Sequence, residues 1–262
     1  MSLPMPVETP LPKLAWKNVS KRFDGPPVLA GLDLAVAAGR SLVIIGGSGQ
    51  GKSVAIKVAL GLIPVDGGEV LLDGVNIAGL DAAGRRQALA RVGMLFQGGA
   101  LFDSLSVWEN VAFRLINAEG VPRREARARA IDTLALVRLG PQTADLYPSE
   151  LSGGMQKRVG LARAIIGAPE ILFFDEPTTG LDPITAAAIN ALIVDRVRSL
   201  GCTAVSITHD LASARTIADE IAMLHHGRIV WRGLAAQLDS TDNPYVRQFV
   251  DGRTDGPINA DR

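Results

Sequence analysis

Three short segments carry the residue types that phosphate chemistry requires. The first, Gly46-Gly47-Ser48-Gly49-Gln50-Gly51-Lys52-Ser53, directly follows the apolar run Leu42–Ile45 and opens a helical pattern. Strand, glycine loop and helix in that order form a phosphate loop. The glycines let the backbone curl so that successive N–H groups point at phosphate oxygens, and the helix start adds a favourable dipole. Lys52 would then stand by the β- and γ-phosphates, and Ser53 would offer its hydroxyl to Mg²⁺. A merely flexible turn would not carry Lys52 and Ser53 at this offset. By itself the loop leaves kinases, GTPases and many ATPases open.

The second segment, Ile171-Leu172-Phe173-Phe174-Asp175-Glu176, is an apolar strand ending in adjacent carboxylates. Two buried carboxylates side by side are costly unless they face a cation or have separate tasks. Asp175 is expected to hold the Mg²⁺ shell and Glu176 to polarise an attacking water. A strand can also end in acids at a solvated loop, but the pairing with a phosphate loop disfavours that. In the third segment, Leu151-Ser152-Gly153-Gly154-Met155-Gln156-Lys157-Arg158, Ser152 and the glycines precede a helix expected to begin near Met155. Backbone N–H groups and a hydroxyl are thereby aimed outward at a helix start. Alone, this segment is equally a plain helix cap.

The elements that position these segments follow from periodicity. Leu42–Ile45, Met94–Phe96, Ile171–Phe174, Ala204–Ile207 and Ile221–Leu224 are uninterrupted apolar runs, which suits parallel strands covered on both faces. Val54–Leu62 and Ile184–Leu200 between them have helical spacing. Leu14–Ser20 and Gly68–Asp73 fit strands of an antiparallel N-terminal layer. The pattern is α/β with a mostly parallel sheet. Between Gln97 and Arg163 no strand is expected; Ala126, Ala130, Leu134 and Val137 recur at helical spacing, with Arg124, Arg127 and Arg129 on solvated faces. His225-His226-Gly227-Arg228 reads as a hairpin turn with both histidines exposed rather than ligating metal. Residues 1–12 read as a loose tail and 239–262 as an extended one.

Bulk properties narrow the class. Lys+Arg and Asp+Glu balance at 27 each, so no basic excess points to nucleic acid. Cys202 stands alone and is expected to be a small apolar residue entering a buried strand. No run of about 18 or more uncharged apolar residues spans a bilayer, and the proline-containing start is not a secretory signal. Any membrane role must come through a partner.

Phosphate loop, Leu151–Gly154 and Asp175-Glu176 occur in the order and spacing of ATP-binding-cassette (ABC) ATPases, which the chain resembles from roughly Leu11 to Val250. The resemblance implies a P-loop NTPase core spanning 13–262, with an antiparallel N-terminal β layer and an inserted helical subdomain at about 98–166. It implies ATP and Mg²⁺ as ligands, with Val54 joining the phosphate loop in the nucleotide site. Gln97 resembles the Q-loop glutamine that touches Mg²⁺ or the lytic water. His209 resembles the switch histidine at the γ-phosphate, and Leu181-Asp182 the D-loop that crosses a dimer interface. Phe23 sits where the family keeps an aromatic to stack on adenine, usually Tyr. Two copies would close head-to-tail on two ATP molecules, Ser152, Gly153, Gly154 and Asp182 serving the nucleotide of the other protomer. Glu176, His209 and Gln97 are then the expected catalytic set.

Some segments resemble a narrower group, the Mla-type (maintenance of lipid asymmetry) phospholipid-transport ATPases. They are Leu95–Val107 with Glu109-Asn110-Val111, Gly51–Val54, Tyr147–Leu151, Gly180–Ile184, and the ending Arg247–Gly252 with Asp255-Gly256-Pro257. This implies an ATPase on the cytoplasmic side of an inner membrane, bound to an integral-membrane permease and working with a periplasmic lipid-binding (MCE-type) ring. Leu101, Phe102 and Trp108 are then either permease contacts or local core. The ATPase of a transporter with another cargo, or a soluble ABC ATPase of DNA repair or translation, are the alternatives. The latter usually carries coiled-coil arms or two cassettes, and this chain shows neither. A non-hydrolysing nucleotide switch is disfavoured by Glu176 with His209.

Overall fold

In the computed structural model, which describes residues 11–258, β1 (Leu14–Arg22) and β2 (Pro27–Val36) lead into β3 (Ser41–Ile45) and α1 (Lys52–Ala59). β4 (Gly67–Leu72), β5 (Val75–Asn76), α2 (Ala82–Ala90) and β6 (Val92–Leu95) follow. Three helices then come without an intervening strand: α3 (Val107–Asn117), α4 (Arg123–Leu136) and α5 (Gly153–Ile165). Strand and helix alternate again through β7 (Ile171–Asp175), α6 (Pro183–Leu200), β8 (Thr203–Ile207), α7 (Leu211–Ile217) and β9 (Glu220–His225). The chain closes with β10 (Arg228–Leu234) and α8 (Pro244–Asp251). The tail expected at 1–12 lies largely outside the described residues, as does the end of the C-terminal one.

The strands form two sheets. The larger has the order β10-β9-β3-β8-β7-β6, with every pairing parallel except that of β10. The smaller, β2-β1-β4-β5, is antiparallel. Successive side chains of a strand face opposite ways, and both faces of the larger sheet are covered. Leu42, Ile44, Phe173, Val205 and Ile207 enter the core shared with β1, β2, β4 and α1. Val43, Ile45, Leu172, Phe174 and Ala204 enter the core shared with α3 to α6. Continuous apolar runs are the consequence. The Trp16 indole N–H donates to the Ala55 carbonyl at 2.9 Å, fixing the small sheet to α1. Ala126, Ala130, Leu134 and Val137 are fully buried, while Arg127 pairs with Asp145 at the surface.

Four expectations change. β2 was not foreseen because Gly31 interrupts its pattern: Ser20 pairs with Ala30 and Val19 with Leu32, so Gly31 is the extra residue of a bulge. Within 239–262, residues 244–251 are helical rather than extended. The Asn243 side chain accepts from the Tyr245 and Val246 N–H groups at 3.1 and 3.3 Å, Pro244 takes the first helical position, and Gly252 ends the helix at φ +63°. His225 is buried, 7 % exposed, with the Tyr245 ring of α8 5.0 Å away; of the two histidines His226 alone is exposed. Finally, α5 begins at Gly153, with Ser152 as its cap, rather than near Met155.

Candidate active site

β3 is flanked by β8 and β9, and the loop at its C-terminal end runs straight into α1. Gly51 has φ +100°, and a Cβ there would lie 2.6 Å from the Val28 carbonyl oxygen, so no other residue fits. Lys52 is buried, and its Nζ donates to the Gly46 and Gly47 carbonyls at 2.7 and 2.8 Å. Burial pushes the Lys52 pKa down, against the opposing pull of Glu176 and Asp175. The Gln50 side chain accepts from the His226 N–H at 2.6 Å, tying the loop to the β9–β10 turn.

The loop opens on a cleft of about 780 Å³ whose walls include Gly47–Gly49, Gly51, Lys52, Ser53, Val54, Gln97, Glu176 and His209. β7 ends at Asp175, which is buried and does not line the cleft, and the next residue, Glu176, reaches the cleft wall. Burial, then the neighbouring Glu176, pushes the Asp175 pKa up. Its Oδ1 is buried with no hydrogen-bond partner among the described residues. Glu176 is held from several sides: His209 Nδ1 lies 3.0 Å from Oε1, and the Thr179 and Thr208 hydroxyls donate to Oε2 at 3.0 and 3.4 Å. A carboxylate held at the mouth of a phosphate loop, beside an imidazole, has the chemistry of a general base toward water.

Comparisons with known proteins bear on the same segments. The family model described as "ABC transporter" matches residues 29–179. The chain belongs to the ABC transporter family. It is 40% identical over 227 residues to the intermembrane phospholipid transport system ATP-binding protein MlaF of Escherichia coli K12, covering 87% of this chain and 84% of that one. It is 38% identical over 241 residues to the probable ribonucleotide transport ATP-binding protein mkl of Mycobacterium tuberculosis, covering 92% and 67%. Among solved structures it resembles the dimeric post-hydrolysis state of the ATP-binding cassette MJ0796 bound to ADP and Pi, with TM-score 0.77 and 30% identity over 85% and 98% of the chains. The fold is that of an ABC ATPase cassette, and the chain is an ATP-binding ATPase of the transporter kind.

Other expected site residues of this ABC ATPase lie away from the cleft wall. Ser152 and Gly153 are exposed; the Ser152 hydroxyl accepts from the Met155 N–H at 3.3 Å and caps α5. A Cβ on Gly154 would sit 2.7 Å from the Thr185 methyl, so the turn packs closely on α6. Asp182 caps α6, accepting from the Ile184 and Thr185 N–H groups at 3.0 Å. Phe23 lies between β1 and β2, 49% exposed, with Lys21 Nζ 5.5 Å from its ring centroid, and does not line the cleft. Beyond Gln97, Phe102 is exposed and stacks on Phe113 at 4.6 Å, whereas Leu101 and Trp108 are half-buried against the core.

Sequence reasoning missed several contributors. Val28, Leu211 and Phe249 also wall the cleft, Phe249 coming from the unforeseen α8. Thr179 stands three residues after Glu176, a spacing at which a hydroxyl can meet a preceding acid, and was legible in principle. Thr208 and Lys157 meet Glu176 only through the fold. Cys202 is buried, which pushes its thiol pKa up to about 11 and leaves it inert.

Proposed function

We propose that this chain is the ATP-hydrolysing subunit of a phospholipid transporter, on the cytoplasmic face of an inner membrane. The observation that carries hydrolysis is the Glu176 carboxylate, held by His209 and Thr179 at the mouth of the phosphate loop. In this reading Glu176 orients and deprotonates the attacking water, and His209 fixes the geometry at the γ-phosphate. Lys52 leaves the Gly46 and Gly47 carbonyls for the β- and γ-phosphates. Catalysis is then positioning plus electrostatics. Gln97 reaches toward the lytic water from the cleft wall. Phe23 would stack on adenine only after moving toward the cleft.

The residues fit Mg²⁺. A buried carboxylate oxygen without a partner is costly, and Asp175 Oδ1 is one such atom beside Ser53. Ser53, Asp175 and Gln97 would hold the ion, which supplies charge neutralisation on the β- and γ-phosphates when bound.

We read residues 13–262 as one ATPase unit, with about 98–166 as its helical part. The partners we assign are a second copy of the chain, integral-membrane permease subunits and a periplasmic MCE-type lipid-binding ring, with no nucleic acid. The Ser152–Gly154 turn and Asp182 would act on the nucleotide of the second copy. The likeness to MlaF over most of both chains supports phospholipid as cargo. Among the described residues no helix is long and apolar enough to cross a membrane, consistent with attachment through a permease. Purification from membranes tests this: a permease carrying bound phospholipid is expected, and recovery of ribosomes, DNA or a permease with a non-lipid cargo would overturn it.

A further inference from the structure

Lys157 lies in the second turn of α5 and is 3 % exposed. Its single side-chain hydrogen bond among the described residues runs from Nζ to the main-chain oxygen of Glu176, at 3.3 Å. Burial pushes the ammonium pKa down, while Asp175 and Glu176 oppose that shift. A buried ammonium is expensive to keep, and apolar residues fill the other buried positions on this face of α5.

The group it reaches is unusual in its own right. Glu176 has φ +48°, in the left-handed region that non-glycine residues rarely adopt. Such a backbone persists only where its surroundings fix it. On one side the Glu176 N–H donates to the Ile207 carbonyl at 3.0 Å. On the other, the Glu176 carbonyl accepts from Lys157. The same helix also grips the segment after Gln97, where the Arg163 guanidinium donates to the Gly99 and Ala100 carbonyls at 2.7 and 2.8 Å. Thus α5, whose start is the exposed Ser152 turn, holds main-chain atoms beside two of the expected catalytic side chains.

We propose that Lys157 is a positioning residue for ATP hydrolysis, which holds the strained main chain of Glu176 from the Ser152-capped helix and so keeps its carboxylate aimed into the cleft. This rests on Glu176 being the water-activating residue. A displacement of α5 at its exposed end is then transmitted through Lys157 to the carboxylate of the same chain. The start of the helix and the site of water activation form one mechanical unit.

The test compares Lys157→Met, Lys157→Gln and Glu176→Gln in the full chain, measuring ATP affinity and steady-state turnover separately. Lys157→Met keeps the apolar stem and removes the donor and the charge. Its kcat is expected to fall about 10-fold while ATP Kd stays within about 2-fold, because the lost contact acts on the transition state rather than on binding. Lys157→Gln, with a neutral and shorter donor, is expected between Lys157→Met and the parent. A parent-like kcat in Lys157→Met overturns the proposal, as does a fall of kcat and ATP affinity together. If Lys157→Met does not fold, Lys157→Gln decides: a kcat loss of about 3-fold at unchanged Kd supports the role, and no loss overturns it. Glu176→Gln separates the two levels. Turnover retained there removes the underlying reading of Glu176; turnover abolished there but intact in Lys157→Met removes only the positioning role.

Discussion

The phosphate loop and the Ser152 turn are both glycine-containing helix starts, yet the chain treats them differently. The phosphate loop is enclosed: Lys52 is buried in its curl, Gln50 anchors it to the β9–β10 turn, and residues from five further segments wall the cleft in front of it. The Ser152 turn is exposed and capped by its own hydroxyl, and Ser152, Gly153 and Gly154 do not line that cleft. Helix starts favour anions in either place. One is a walled cleft; the other is an exposed helix start, which we propose serves as half a site. The MJ0796 cassette with ADP and Pi, which this chain resembles, is dimeric, and the role proposed for the turn lies in such a pair.

The largest effect expected concerns the enclosed half. Glu176→Gln should lower kcat by about 100-fold or more, the range for loss of a general base, with ATP binding retained. Steady-state phosphate release beside equilibrium ATP binding measures it, and parent-like turnover would remove Glu176 from its role. Lys52→Ala should weaken ATP binding by about 10- to 100-fold, the worth of a charged hydrogen bond to phosphate. Titration with a fluorescent ATP analogue checks this; unchanged affinity would contradict the expected move of Lys52 onto phosphate.

The open half sharpens the contrast, because stability and function should part there. Gly153→Asp places a carboxylate in the first turn of α5, where a Cβ meets only ordinary contact with Leu181. A negative charge at a helix start is stabilising, so the melting temperature should stay within about 2 °C or rise. The same charge would repel a phosphate brought by a second copy, so ATP-driven association should be lost while cis ATP binding persists. Dimerisation at parent levels would show that the turn meets no phosphate.

The smallest effect expected lies at the opposite end of β7 from Asp175. Arg91, then Lys13, holds the Glu170 carboxyl down to about 2. A depressed carboxylate contributes stability that is present above its unfolded value near 4.5 and lost as pH falls through about 2. Glu170 is 47% exposed, so screening reduces the contribution to about 1 kcal/mol or less. Arg91→Ala should therefore lower stability slightly at neutral pH and flatten the loss between pH 4.5 and 2, leaving turnover unchanged. Acid unfolding of the two proteins measures it, and an unchanged profile would contradict the pairing.

Why one half was more legible than the other follows from range. The phosphate loop, Asp175 and Glu176 are specified by residues adjacent in sequence, so strand, turn and helix signals sufficed. β2 was hidden because Gly31 breaks its alternation for the sake of a bulge. α8 was hidden because it is short and lies within a polar stretch, although Asn243-Pro244 and Gly252 mark its ends. Phe249 in the cleft wall and Lys157 beneath Glu176 depend on contacts between distant segments, which no local pattern encodes.

In the proposed function, the exposed Ser152 turn completes the nucleotide site of a second copy. Sedimentation of Glu176→Gln with saturating ATP and Mg²⁺ tests it most directly, beside the same protein carrying Gly153→Asp. Dimer in the first and monomer with ATP still bound in the second is the result expected; monomer in both, or dimer in both, would contradict it.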